Sequence, residues 1–76
     1  MPKVFDHGPY RVYFFSYEPN EPPHVHVARD RCSCKFWLQP VQLARNEGFP
    51  EHELTRIRNM LRDNRDRCLR AWYGHL

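Results

Sequence analysis

Two pairs of side chains with chemical potential lie close together in PPHVHVARDRCSCKFWL, residues 22–38. His24 and His26 are separated by one residue, and so are Cys32 and Cys34. Imidazoles titrate near neutral pH, so the histidine pair could serve as general acid and general base. Two imidazoles together with two thiolates could instead hold Zn²⁺. The spacing therefore leaves three interpretations: proton-transfer catalysis, a metal site, or a hairpin whose histidines are structural.

A ribonuclease-like reaction would also need a cation for the phosphate and a ring on which a base can stack. Lys35 follows shortly after the histidines, so the catalytic candidates of a metal-independent reaction are His24, His26 and Lys35. The same region offers aromatic and basic side chains that could bind a base, a phosphate or a partner protein. These binding candidates are Tyr13, Phe15, Tyr17, Arg29 and Trp37.

The elements that position these residues can be predicted from the alternation of apolar and polar side chains. Residues 24–29, HVHVAR, alternate strictly, and residues 32–38, CSCKFWL, follow after two residues. Both segments are predicted to be strands of one hairpin. A two-residue turn pairs Val27 with Cys34 and collects the apolar side chains on one face, and the hydrophobic pattern fixes this register.

The other face of the predicted hairpin carries the polar candidates. His26 is expected to face Lys35, and His24 to face Trp37, so both imidazoles should be exposed and point away from the core. The cysteines would pack inward as small hydrophobic residues. A slip of one residue would bring thiols and imidazoles together as a zinc site, but it would cost about 1.5–3 kcal/mol for each valine that left the core. We therefore predict neither a metal ion nor another cofactor.

The remaining segments predict a small α+β fold. Residues 1–9 are interpreted as a leader, and residues 10–76 as a single domain, since 76 residues leave no room for a second core. Residues 10–17, YRVYFFSY, predict a strand, and residues 41–47, VQLARNE, predict a short helix that ends at Gly48. The expected architecture is a three-stranded antiparallel sheet followed by a short helix and a long C-terminal amphipathic helix.

The long helix is predicted to begin near Pro50 and to continue to about Tyr73. Its apolar residues recur at the three- and four-residue spacing of an amphipathic helix. This apolar stripe consists of Leu54, Ile57, Leu61, Cys68 and Trp72, with Met60 and Leu69 beside them. Asn64 also lies on the stripe, so a break into two helices near Asn64 is the alternative.

Arginine dominates the charge of the chain. The formal net charge is +3, and ten of the twelve basic residues are arginine. The long helix carries Arg56, Arg58, Arg62, Arg65, Arg67 and Arg70. Guanidinium groups bind phosphate and carboxylate well, so this helix could contact nucleic acid or an acidic protein. The alternative is a solvated helix face on which the arginines pair with Glu53, Asp63 and Asp66.

The expected compartment is the cytoplasm. The opening residues MPKVFDHGP lack the apolar core of a secretory signal, and no apolar run is long enough to span a membrane. Three cysteines are an odd number, which suits free thiols in a reducing environment.

The segments YRVYFFSYE, PPHVHV, KFWLQPVQLARNEGF and ELTRI, together with the later AW pair, extend from Tyr10 to Trp72. In these motifs the chain resembles a small bacterial family known as domain-of-unknown-function family 4160. Its members are often encoded beside another small protein in toxin–antitoxin-like pairs, so the resemblance implies a partner chain and a toxin role. The resemblance transfers no catalytic residue. Cys32 and Cys34 stand where the family would have polar or small residues.

Three functions remain open at this point. The preferred hypothesis is a binding module of a toxin–antitoxin-like pair, which docks a second small protein, or another copy of itself, through an aromatic and histidine-bearing sheet face. Tyrosine, tryptophan and arginine are the residues that commonly anchor such interfaces. The first alternative is an RNA-binding or RNA-cleaving toxin that uses His24 and His26. The second alternative is a small zinc-binding protein.

Overall fold

A computed structural model describes residues 3–15 and 20–75 and has an α+β fold. Five strands precede two helices: β1 (Lys3–His7), β2 (Tyr10–Tyr13), β3 (His24–Arg29), β4 (Cys32–Leu38), β5 (Val41–Glu47), α1 (Glu51–Asp63) and α2 (Arg65–His75). The strands form one antiparallel sheet in the order β1-β2-β3-β4-β5. Within the described ranges, neither helix is long and apolar enough to cross a membrane.

Two-residue connections join three pairs of neighbouring strands. Residues 8–9, 30–31 and 39–40 link β1 to β2, β3 to β4 and β4 to β5. Gly8 and Asp30 take positive φ angles of 56° and 54°, a region that glycine enters freely and aspartate tolerates. These short turns make the two strands of each of these three pairs antiparallel.

The predicted register of the central hairpin is confirmed. His24 pairs with Trp37 and His26 pairs with Lys35, and these four residues share one face of the sheet. Val27 pairs with Cys34 on the opposite face. The imidazoles and the Cys34 thiol therefore lie on opposite faces, which is the reverse of the arrangement that the zinc alternative requires.

The predicted number of three strands is wrong, because strands form at both edges of the predicted sheet. Residues 3–7, within the predicted leader, form β1, in which His7 pairs with Tyr10. Residues 41–47 form β5 and not a short helix, because pairing with β4 outweighs the helical preference of this segment. Strand β2 ends at Tyr13, short of the predicted end at residue 17, and residues 16–19 lie outside the described part of the chain.

The predicted long helix breaks at Asn64, as the alternative proposed. The Asn64 backbone N–H donates to the carbonyl oxygens of Leu61 and Met60 at 3.2 and 3.1 Å, and its side-chain amide donates to Met60 at 2.9 Å. The backbone N–H of Cys68 in turn donates to the Asn64 carbonyl at 3.0 Å. Asn64 therefore ends α1 and provides an early carbonyl for α2.

The core lies between one face of the sheet and the apolar stripe of the two helices. The sheet contributes Phe5, Tyr10, Val12, Val25, Val27, Cys34, Phe36 and Leu38. The helices contribute Leu54, Ile57, Met60, Leu61 and Cys68, as the spacing predicted. Burial of these side chains leaves the opposite sheet face as the surface on which the candidate residues lie.

Candidate functional site: the aromatic face of the sheet

The sheet face opposite the core gathers most of the predicted site residues. We call this set the aromatic face: Tyr13, Phe15, His24, His26, Lys35 and Trp37. Strand pairing places Tyr13 beside His26, and His26 beside Lys35, across β2, β3 and β4. Alternation along β3 and β4 puts His24 and Trp37 on the same face. Tyr17, the remaining aromatic binding candidate, lies outside the described residues.

The rings of the aromatic face pack against one another. Tyr13 stacks on His26 with centroids 5.3 Å apart and planes inclined by 16°. Phe15 meets the same imidazole edge-on at 4.7 Å, and the Lys35 ammonium lies 4.7 Å from the centre of the Trp37 ring. Tyr13, Phe15, Lys35 and Trp37 are all half-buried, so part of each remains accessible. Burial raises the pKa of the Tyr13 hydroxyl.

The expectation that both imidazoles are exposed is wrong. His24 is fully buried, and His26 is 5 % exposed. His24 is buried because Trp72 of α2 packs against it, with the two ring centroids 4.8 Å apart. Trp37 lies 5.7 Å from the same ring, and Nδ1 of His24 is 3.0 Å from the carbonyl oxygen of Pro22. The aromatic rings predicted to share the surface with the histidines cover them instead.

This burial bears on the proposed proton-transfer chemistry. The two imidazole centroids are 5.4 Å apart and nearly perpendicular, so the spacing would allow both to act on one substrate. A substrate would nevertheless have to displace Trp72 or Trp37 before it touched His24. Within residues 3–15 and 20–75, every buried side-chain nitrogen and oxygen has a hydrogen-bond partner. These observations support the structural interpretation of the histidine pair.

Lys35 lies on the aromatic face, but its ammonium group is already paired. It forms a salt bridge with Glu21, and the lysine side chain is only 13 % exposed. The ammonium also rests on the Trp37 ring. A phosphate that bound Lys35 would therefore compete with Glu21. Glu21 could not be predicted as the partner of Lys35, because it lies in a proline-rich connection whose sequence gives no pairing signal.

Arg29 lies apart from the aromatic face and anchors a helix. Its Nε and Nη2 atoms donate to the two carboxylate oxygens of Glu53 at 2.8 and 2.6 Å. The Tyr10 hydroxyl donates to the same carboxylate at 2.8 Å, and the Arg29 guanidinium lies 5.6 Å from the Phe49 ring centre. Arg29 is therefore committed to structure, and its predicted role as a ligand-binding cation has no support in this geometry.

These partners change the pKa of the Glu53 carboxyl group. The hydrogen bond from Arg29 lowers the pKa of Glu53, and burial together with Glu53 raises the pKa of Tyr10. A sequence signal for this network existed. Glu53 lies at helical spacing from Ile57 of the apolar stripe and from Met60 beside it, where a carboxylate must find a partner.

The thiols provide no metal site with the histidines. Burial raises the pKa of Cys34 to about 12 and that of Cys68 to about 11. Cys32 is half-buried, and its Sγ donates to the carbonyl oxygen of Gly48 at 3.3 Å. In the part of the chain that the structure describes, no group of three or more potential ligands is placed to hold a metal ion.

Comparison with known proteins identifies the family of the chain. No curated protein and no solved structure matches it. A family model described as domain of unknown function (DUF4160) matches residues 10–73, which include the whole aromatic face. The chain therefore belongs to the DUF4160 family.

Proposed function

We propose that this chain is a binding module that docks a second small protein through its aromatic face. The observation that carries the proposal is the position of Tyr13, Phe15 and Trp37, which lie half-buried on the sheet face opposite the helical core. Half-buried aromatic rings offer large apolar area at low entropic cost, and their polar edges can form hydrogen bonds. A partner would complete the burial of these rings.

Exposed charged residues surround this surface and fit the rim of an interface. Arg11 and Arg45 are exposed on the strands that flank the aromatic face, and Arg45 Nε lies 3.4 Å from a Glu47 carboxylate oxygen. Interfaces commonly combine an apolar centre with a polar rim of this kind. The toxin–antitoxin-like gene pairs that the family resemblance implies support a small protein encoded beside this chain as the partner. Three unpaired cysteines support a reducing cytoplasm as the compartment.

The alternative of an RNA-cleaving toxin has less support. It requires His24 and His26 to reach a substrate, whereas both rings lie beneath aromatic side chains. It also requires a cation for the phosphate, and Lys35 already pairs with Glu21. The proposed role of the histidines is to support the rings of Tyr13, Phe15 and Trp37 from below.

Co-expression with the product of the neighbouring gene tests the proposal. Trp37→Ser should weaken complex formation by about tenfold or more, because a central tryptophan is typical of an interface hot spot. Tyr73→Ser is the matched control, because this tyrosine is 56 % exposed on α2 and is not part of the aromatic face. Thermal unfolding of each variant checks that the fold remains. Equal binding by folded Trp37→Ser and wild-type protein would contradict the proposal, as would dependence on Tyr73 alone.

A further inference from the structure

A basic concavity lies at the junction of the two helices, separate from the aromatic face. It has a volume of about 510 Å³. Besides Asn64, its lining consists of Arg62, Arg65, Arg67, Arg70, Asp63 and Asp66. Four guanidinium groups against two carboxylates leave an excess of positive charge in a solvent-accessible hollow.

Most of these arginines have no carboxylate partner, contrary to the pairing that a solvated helix face would show. Across residues 3–15 and 20–75, no carboxylate oxygen lies within 4.0 Å of Arg62, Arg67 or Arg70. The contact between Arg65 and Asp66 is long, at 4.0 Å, and Glu53 is held by Arg29. The guanidinium groups are therefore available to an external anion.

Two of the arginines are held in place by uncharged groups. The Nε atom of Arg65 donates to the carbonyl oxygen of Leu38 at 2.8 Å. The guanidinium of Arg67 lies 4.4 Å from the centre of the Phe5 ring. A guanidinium has five N–H donors, so Arg65 retains most of them for a ligand. Because these two side chains are already held in place, they lose less conformational entropy when a ligand binds.

An exposed aromatic residue adjoins the concavity. Tyr73 is 56 % exposed and is the large hydrophobic residue that the described part of the chain leaves in solvent. It follows Arg70 by three residues on α2, so the two side chains are neighbours on the helix surface. Its hydroxyl donates to the Gln39 side chain at 3.3 Å, which restrains the ring. A restrained, exposed ring beside unpaired arginines is the arrangement on which nucleic-acid bases stack.

We propose that the junction of α1 and α2 binds single-stranded nucleic acid. Arg62, Arg65 and Arg70 contact phosphates, and Tyr73 stacks on a base. An acidic peptide could satisfy the guanidinium groups, but it would leave Tyr73 without a ring to stack on. The site uses no residue of the aromatic face, so it goes beyond the proposed docking function and can be tested apart from it.

Fluorescence anisotropy with labelled oligouridylate tests the site on the full chain. The Arg62→Gln/Arg70→Gln variant should bind at least about tenfold more weakly, and the slope of log K against log salt should fall by about 1.4, since each single-strand phosphate contact contributes about 0.7. The matched control is Lys3→Gln/Arg31→Gln, which removes the same charge from exposed positions elsewhere. This control should stay within about twofold of the wild type.

Further binding measurements distinguish a nucleic acid from a simple polyanion, and RNA from DNA. Tyr73→Leu keeps the charge, so it should weaken oligouridylate and oligothymidylate binding several-fold while leaving polyphosphate binding unchanged. A preference for oligouridylate would assign RNA, and a preference for oligothymidylate would assign DNA, and both support a single-strand site. Amide chemical shifts of the wild-type chain should change around residues 62–73 when oligouridylate is added. If a variant fails to fold, this map decides the question without it.

Several results would overturn the proposal. Polyglutamate binding as tight as oligouridylate binding would assign the concavity to an acidic protein. Equal losses in the two double variants would show diffuse attraction to net charge. Shifts confined to residues outside 62–73, or no binding at low salt, would show that the junction takes no nucleic acid.

Discussion

Arg29 of β3 and Glu53 of α1 form a bidentate salt bridge, with N–O distances of 2.8 and 2.6 Å. The Tyr10 hydroxyl of β2 completes the arrangement at 2.8 Å. One carboxylate therefore ties α1 to two adjacent strands. Arginine suits this position because its planar fork matches both carboxylate oxygens.

Replacement of Glu53 by glutamine should destabilise the fold near neutral pH, because Arg29 would lose the charge that it faces. The pKa of Glu53 is lowered in the folded state. Its contribution is therefore fully present above the unfolded value of about 4.3 and is lost as the pH falls through the lower folded value. Urea unfolding of both proteins at a series of pH values should show the stability difference shrinking below about pH 4.

Asp6→Asn is the control for this substitution. Asp6 forms an exposed salt bridge with Lys3 at 2.9 Å, and exposed pairs contribute little to stability. Asp6→Asn should therefore have a smaller effect than Glu53→Gln at every pH. Equal effects of the two substitutions near neutral pH would mean that the Arg29–Glu53 pair stabilises the fold no more than an exposed salt bridge does.

His24→Ala should destabilise the protein by about 1–3 kcal/mol, because it removes a fully buried ring from beneath Trp72 and Trp37. His7→Ala, at an exposed position in β1, should change stability by less than about 0.5 kcal/mol. Chemical denaturation measures both. An unchanged midpoint for His24→Ala would show that the imidazole is dispensable for folding and would restore the case for a catalytic role.

The three thiols should differ sharply in reactivity. Burial raises the pKa of Cys34 to about 12 and of Cys68 to about 11, so neither forms much thiolate in mildly alkaline solution. Cys32 is half-buried and should react first with a disulfide reagent such as DTNB. Cys32→Ser should abolish the rapid phase, and denaturant should release the other two thiols. Rapid reaction of the folded Cys32→Ser variant would contradict the burial of Cys34 and Cys68.

Gly48→Ala should destabilise the fold by about 1–3 kcal/mol, because φ is +101° at this position and a Cβ atom would lie 3.2 Å from Cys32 Sγ. Gly74→Ala is the matched control. Gly74 lies in α2 with nothing within 4 Å of an added Cβ, so alanine there should leave stability unchanged or raise it by up to about 1 kcal/mol. Thermal unfolding that ranks the two variants in the opposite order would contradict this account of Gly48.

The central hairpin could be predicted in detail because its pattern allows one favourable register. Val25 and Val27 must share the core face, which fixes the partners of His24 and His26. The two edge strands, β1 and β5, were harder to predict from their sequence pattern. Residues 41–47 are rich in helix-favouring types, and only their pairing with β4 makes them a strand. A signal for β1 was present, since Gly8 and Pro9 separate two strand-like segments.

The candidate site was predicted in position but not in burial. Alternation places His24, His26, Lys35 and Trp37 on one face, as the structure has them. It cannot show that Trp72, which is distant in sequence, would cover His24. The pairing of Lys35 with Glu21 likewise depends on how a loop folds back onto the sheet.

The most direct test of the aromatic face follows the two indole N–H resonances by NMR as the neighbouring gene product is added to the labelled chain. Trp37→Phe assigns the resonances, because only the Trp72 signal remains in that variant. Docking at the aromatic face predicts that the Trp37 signal shifts and becomes shielded from a water-soluble paramagnetic agent, while the buried Trp72 signal changes little. A complex in which Trp37 stays as accessible as in the free chain would contradict the account.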